Sequence, residues 1–217
     1  MPEADVVIEI FGEGKTDVGR SEKTAPRAAG VVPIIVHTLC GRPEQMRVKR
    51  RGVPFLQQRE TGKGLWQKVR FAGRQARANR SHAVVFVVDS EGDLKGKRAA
   101  LVKGREAATS KLPMAIGVAH PCIEAWLLAD AMAIRRGMGL DRTPAVPDNP
   151  EALPAPCRNN AKRVLVKAAG STKKELSAAQ KDDIARAMNN MQLARDRCPA
   201  GFAPFADEVE QKIRPLF

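Results

Sequence analysis

Short apolar runs separated by polar, glycine-rich turns recur along the first half of the chain. Residues 5–11, 83–88 and 113–119 each form such a run, and 83–88 is apolar at every position. An unbroken run of this length is typical of a strand buried on both faces, as in a parallel sheet covered by helices. A further run at 31–37 contains Pro33, which predicts an edge strand or a loop entering one.

Helical spacing dominates between and after these runs. Residues 64–79 place Leu65, Val69, Ala72 and Ala76 on one stripe, which predicts an amphipathic helix. A basic helix is expected over 96–110, and Pro121 suits the first turn of another helix. After a proline-rich crossing at 141–158, the pattern predicts helices over the ranges 161–169, 177–197 and 202–213.

These elements predict an α/β fold, with a mainly parallel sheet flanked by helices and a C-terminal helical extension. We expect one α/β domain over residues 1–140, carrying a basic insert at about 41–80. The proline-rich crossing and the helical extension, residues 141–217, are expected to pack on that domain.

Three acidic residues follow the most apolar strand at alternate positions: Asp89, Glu91 and Asp93. Functional groups of parallel sheets collect at the carboxyl ends of the strands, so these carboxylates are expected in the crevice there. Carboxylate oxygens suit a hard cation such as Mg²⁺, or Mn²⁺, which is usually held by a few carboxylates, waters and substrate phosphates. The alternative is an acidic turn that only solubilises the strand end.

A second carboxylate site is predicted after the first strand, in the sequence Gly12-Glu13-Gly14-Lys15-Thr16. The flanking glycines permit a tight turn and a close backbone approach to a ligand. A phosphate-binding P-loop is the alternative interpretation, but that motif requires a glycine where this chain has Glu9.

Positive charge is the main compositional feature. The chain has 37 Lys and Arg against 24 Asp and Glu, a formal charge of +13, which favours a polyanionic partner. Aromatic residues are scarce, at 4 %, so contact with phosphates is expected rather than base stacking. A solvated basic surface is the alternative. The expected nucleic-acid contacts are Arg47, Lys49, Arg50, Arg51, Lys63, Lys68, Arg70, Arg74 and Arg77.

Two polar residues near the third apolar strand are candidates for the same crevice. Glu124 lies one turn into an otherwise apolar helix, and a buried acid needs a partner or a role. His120 stands at the end of the preceding strand, where it is either structural or a ligand or proton shuttle.

The four cysteines are scattered, with no Cys-x-x-Cys pair, which argues against a zinc site and favours reduced thiols. The first apolar run is short and carries Glu9, unlike a signal peptide, and no run approaches the length of a membrane span. We therefore expect a cytoplasmic protein without a membrane partner.

The order of these motifs resembles a known family. A strand followed by Gly-Glu-Gly-Lys-Thr-Asp, and a later strand followed by Asp-Ser-Glu-Gly-Asp, are similar to the Toprim domain of topoisomerases, primases and OLD-type defence nucleases. The segments 120–130 and 198–202 resemble bacterial Toprim-like proteins that accompany ATPases in anti-phage loci.

The resemblance implies a Mg²⁺-dependent nuclease that cuts DNA or RNA, an effector of anti-phage defence with a possible ATPase partner. Glu13 matches the family's glutamate, and Asp89 and Asp93 match the acids of its later cluster, where Glu91 replaces an aspartate. The implied metal ligands are Glu13, Asp89, Glu91 and Asp93. We expect the catalytic residues to be Glu13 as general base or ligand, Lys15 as a counter-charge, Asp89 and Glu124. The alternatives are a non-catalytic nucleic-acid-binding or regulatory subunit, and a degenerate P-loop nucleotide binder.

Overall fold

A computed structural model describes residues 5–13, 30–52, 64–108, 111–156 and 160–217. Within these residues, four strands form one sheet in the order β2-β1-β3-β4, and every neighbouring pair is parallel. They are β1 Val6–Gly12, β2 Met46–Gly52, β3 Ala83–Asp89 and β4 Met114–Ala119. The predicted α/β class, with a parallel sheet flanked by helices, is confirmed.

Helices cover both faces of the sheet. Helices α2 Leu65–Ala78 and α3 Leu94–Ala107 pack on one face, around Phe11, Phe86 and Val88. The other face is covered by α1 Val31–Leu39, α4 Ile123–Leu128, α5 Ala131–Met138 and the C-terminal helices. The C-terminal helices are α6 Ala161–Ala168, α7 Ala178–Ala187, α8 Met191–Arg197 and α9 Phe202–Lys212.

Residues 31–37 form helix α1, so the predicted edge strand or loop is wrong there. Pro33 is the third residue of the helix, where its missing N–H has no partner to lose. The helix is buried on nearly all sides, so its sequence shows no polar face that would reveal a helical period.

Strand β2 lies at one edge of the sheet, inside the stretch predicted to be a basic insert. Met46 and Val48 are its apolar residues, and both pack toward the core that contains α1. Its other residues before Gly52 are Arg or Lys, which hid the strand in the sequence. The first part of the expected insert is therefore an integral strand of the sheet.

The C-terminal helices share a hydrophobic core with the sheet. Phe202 and Phe205 of α9 contact Trp126 of α4, and Phe205 lies against Gly117 of β4, where a Cβ atom would meet its ring at 2.6 Å. One predicted helix, 177–197, is divided into α7 and α8, because Asn190 caps a new helix by accepting a hydrogen bond from the Leu193 N–H. The other predicted helices are present with boundaries within a few residues.

Candidate functional site

The order of the strands creates a crevice at the carboxyl ends of β1 and β3. From β1 the chain crosses to β2 on one side, and then returns past β1 to β3 and β4 on the other side. Such a topological switch point is where open parallel sheets bind their ligands. Glu13 follows β1 directly and Asp89 ends β3, so both lie beside the switch point.

Asp89 is positioned by the start of helix α4. Its Oδ1 atom accepts a hydrogen bond from the Ile123 N–H at 3.0 Å, and its backbone carbonyl accepts one from Lys97 Nζ at 2.6 Å. The side chain is half-buried at the rim of the crevice. It is therefore held in one place while remaining in contact with solvent.

The residues after Asp89 form a tight turn that exposes Glu91. Glu91 has φ of 46° and Gly92 has φ of 97°, both in the left-handed region. Asp93 caps α3, because its Oδ1 accepts a hydrogen bond from the Gly96 N–H at 2.9 Å. Of the three acids in this cluster, Asp93 thus has a structural task that the sequence alone did not indicate.

Carboxylates, whose oxygen atoms are ligands that Mg²⁺ prefers, lie around the switch point, but those that the structure describes do not form a cluster. Glu13 and Glu91 are exposed, while Asp89 and Asp93 accept hydrogen bonds from backbone amides. Among the described residues, no three His, Cys, Asp or Glu side chains form a group able to hold a metal ion. Because Mg²⁺ commonly takes only one or two carboxylates and completes its shell with water and phosphate oxygens, the donor chemistry still fits. The metal site stays a prediction.

Glu124 is buried on α4 and has cationic partners. Its Oε1 atom lies 2.7 Å from Lys181 Nζ of α7 and 4.0 Å from Lys162 Nζ of α6. Glu175, at the surface, completes the network at 3.2 Å from Lys181. Sequence reasoning missed both lysines, since no local pattern connects α6 and α7 with α4.

The charges in this network shift one another's protonation. Burial by itself would raise the pKa of Glu124, but the charge and hydrogen bond of Lys181, and the charge of Lys162, hold it below its ordinary value. Burial by itself would lower the pKa of Lys181, but Glu124 and Glu175 hold that pKa above its ordinary value. The pKa of Lys162 is also raised, against its burial, by Glu124, Glu175 and Asp89. Lys162 is therefore a cation that interacts electrostatically with both Glu124 and Asp89. The catalytic role of Glu124 stays a prediction.

His120 is linked to the turn after β3. Its Nδ1 atom lies 2.8 Å from the hydroxyl oxygen of Ser90. Ser90 is only 1 % exposed, and its hydroxyl group also donates a hydrogen bond to the Pro121 carbonyl at 3.2 Å. A hydroxyl has one proton, so when Ser90 donates to Pro121, Nδ1–H of His120 is the donor to Ser90. These contacts favour the structural interpretation of His120.

The predicted nucleic-acid contacts are divided between the two faces of the sheet. On the face of α2, Arg47 forms an ion pair with Asp5 at 3.1 Å. Arg51 lies on the same face and pairs with the buried Glu9 at 3.9 Å. Lys49 shares this face by strand alternation, whereas Arg50 lies in a groove on the face of α1.

Helix α2 carries four more of the predicted contacts. Arg74 and Arg77 are exposed, Lys68 is half-buried, and the guanidinium of Arg70 lies 5.6 Å from the centre of the Trp66 ring. Lys15 and Lys63 lie outside the described residues, so the predictions for them stay open. In the described part of the chain, no helix has the length and apolar character needed to cross a bilayer.

Comparison with models of known protein families, with curated proteins and with solved structures gave no match for this chain. The position and chemistry of the residues around the switch point therefore provide the evidence for a function.

Proposed function

We propose that this protein is a Mg²⁺- or Mn²⁺-dependent nuclease that hydrolyses phosphodiester bonds in DNA or RNA. The observation that carries the proposal is the position of Glu13 and Asp89 on the two strands that border the topological switch point. Two carboxylates from distant parts of the chain thus follow neighbouring strand ends, at the edge of the sheet where this fold class binds its ligands.

Each acid has a part that follows from its surroundings. Glu13 is exposed and able to accept a proton from the attacking water, as general base, or to serve as a metal ligand. Asp89, oriented by the Ile123 N–H, and the exposed Glu91 are the residues that would hold the metal. When bound, the metal would lower the pKa of water and neutralise charge on the phosphate.

Charge supports a nucleic acid as the substrate. The chain carries a formal charge of +13, and Arg74 and Arg77 are exposed on the helix that precedes β3. Arg47 and Lys49 of β2 point to the same face of the sheet as α2 by strand alternation. An anti-phage role and an ATPase partner remain predictions from the family resemblance.

A non-catalytic nucleic-acid-binding subunit is the second candidate. It is favoured by the hydrogen bonds that Asp89 and Asp93 make to backbone amides, which give both acids a purely structural explanation. The degenerate P-loop depends on Lys15 and Thr16, which lie outside the described residues.

Cleavage assays on plasmid, single-stranded DNA and tRNA, with Mg²⁺, Mn²⁺ or EDTA, distinguish these candidates. We expect metal-dependent cleavage by the natural chain, loss of cleavage in Asp89→Asn, and normal cleavage in Asp141→Asn, which changes an exposed acid after α5. Tight binding of nucleic acid without cleavage under any of these conditions would favour the non-catalytic subunit.

A further inference from the structure

A basic groove lies on the face of the sheet opposite α2 and α3. It is bounded by α1, by the edge strand β2 and by α7, and has a volume of about 530 Å³. That volume is within the range of clefts that hold a small organic ligand and exceeds what a single inorganic ion needs. Its walls come from three separate elements, so the groove exists only in the folded chain.

The groove combines cations with an apolar floor. Arg42, Arg50 and Arg186 line it together with His37, while the floor is formed by Pro33, Ile34, Met46 and Val48. A planar guanidinium group can donate two parallel hydrogen bonds to a phosphate, which makes arginine the preferred side chain for phosphate recognition. The apolar floor requires a ligand that also has an uncharged, flat or hydrophobic part.

An acid lies close to two of these arginines. Asp182 is buried and accepts a hydrogen bond from the Gly30 N–H at 3.2 Å, with Arg186 and Arg50 close enough to act on its charge. Arg42 donates to the neutral side chain of Asn189 at 3.0 Å, which leaves the charge of Arg42 in place. The described residues that line the groove include three arginines and no acid, so this lining is positively charged.

We propose that this groove binds a nucleoside phosphate, with its base on the apolar floor and its phosphate on the arginines. A bare phosphate would leave the floor uncovered, and an acidic peptide would offer single carboxylates rather than a tetrahedral, multiply charged group. The same chemistry is present in a free nucleotide and in the 5′-terminal nucleotide of a strand. The inference does not depend on the proposed nuclease activity, because Arg42, Arg186 and His37 have no part in it.

Binding is tested by calorimetry on the full chain with AMP, adenosine, inorganic phosphate, and a short oligonucleotide with either a 5′-phosphate or a 5′-hydroxyl. We expect AMP or the 5′-phosphorylated oligonucleotide to bind at least tenfold more tightly than adenosine or phosphate. The double variant Arg42→Gln/Arg186→Gln should lose at least tenfold in that affinity.

The matched control is Arg163→Gln/Lys167→Gln, which removes the same charge from a second basic groove, of about 610 Å³, along α6. This control should bind as tightly as the natural chain. Amide chemical shifts of the natural chain supply a test that needs no variant, and AMP should perturb Ile34, His37 and Val48. A preference for AMP identifies a free nucleotide, and a preference for the 5′-phosphorylated strand identifies a strand end. Equal losses in both double variants, shifts confined to other residues, or no binding of either phosphate ester at millimolar concentration would overturn the proposal.

Discussion

The carboxylate of Glu124 and the ammonium group of Lys181 are 2.7 Å apart, and both side chains are at most 2 % exposed. One residue lies on α4, directly after the sheet, and the other on α7 in the C-terminal part of the chain. A buried ion pair of this kind fixes the relative position of two elements, since leaving either charge without its partner is costly. Glu124 directly follows Ile123, whose N–H donates a hydrogen bond to Asp89, so the pair connects the C-terminal helices to the candidate site.

Loss of one partner should destabilise the protein far more than loss of both. We expect Glu124→Gln and Lys181→Met each to lower the free energy of unfolding by about 3 kcal/mol, because each leaves a buried charge without its main partner. The double variant should lose clearly less than the sum of the two. Chemical unfolding of all four proteins measures this coupling, and simple additivity would show that the pair does not act as a unit.

Acid should act on stability through the same pair. The pKa of Glu124 is lower in the folded protein than in the unfolded chain, so the unfolded chain binds the proton more tightly. The stabilising contribution is therefore complete above the ordinary glutamate pKa and is lost as the pH falls through the lower, folded value. Melting temperatures followed from neutral to acidic pH should fall less steeply in Glu124→Gln than in the natural chain, with Glu44→Gln as the control for an exposed glutamate.

Glu13→Gln should separate catalysis from binding. Glutamine keeps the shape of the side chain but cannot accept a proton, so the cleavage rate should fall by about 10² to 10⁴ if Glu13 is the general base. Affinity for nucleic acid should stay equal or increase, because a negative charge near phosphate is removed. Single-turnover rates and equilibrium binding measure the two effects, and full cleavage by Glu13→Gln would contradict the assigned role.

The exposed arginines of α2 should determine part of the salt dependence. Replacing Arg74 and Arg77 by Gln should lower the slope of log affinity against log salt by at most about 1.8 for duplex DNA, about 0.9 for each lost phosphate contact. The control pair Lys111→Gln/Arg142→Gln removes two exposed charges elsewhere and should change the slope much less. Equal changes of this slope in the two double variants would mean that Arg74 and Arg77 do not contact phosphates and are only part of a solvated surface.

Contact between α2 and α3 depends on Gly104. A Cβ atom at this position would lie 2.4 Å from the carbonyl oxygen of Trp66 and 2.6 Å from Cβ of Val69. Gly104→Ala should therefore lower the free energy of unfolding by about 1 to 3 kcal/mol, since the helices must separate. Gly52→Ala, at a position with open space around it, is the matched control in a thermal unfolding experiment. A fully stable Gly104→Ala protein would mean that the two helices adjust without cost.

The sequence by itself determined the strands that carry the candidate acids. The runs at 83–88 and 113–119 are apolar on both faces, and only a strand between two layers of helices buries such a run completely. The sequence also places Asp89 and Glu13 at strand ends, because each acid follows the buried apolar run of its strand. The parallel α/β class followed from the alternation of these strands with helical segments.

Tertiary structure decided what no local pattern contains. The sequence of helix α1 predicts an edge strand or a loop instead, because burial on nearly all sides removes its helical period. Strand β2 is hidden in the sequence because an edge strand tolerates Arg and Lys at most positions. The partners of Glu124 come from α6 and α7, and the lining of the basic groove comes from α1, β2 and α7. Such contacts depend on how distant elements pack, and they arise only when the whole chain is folded.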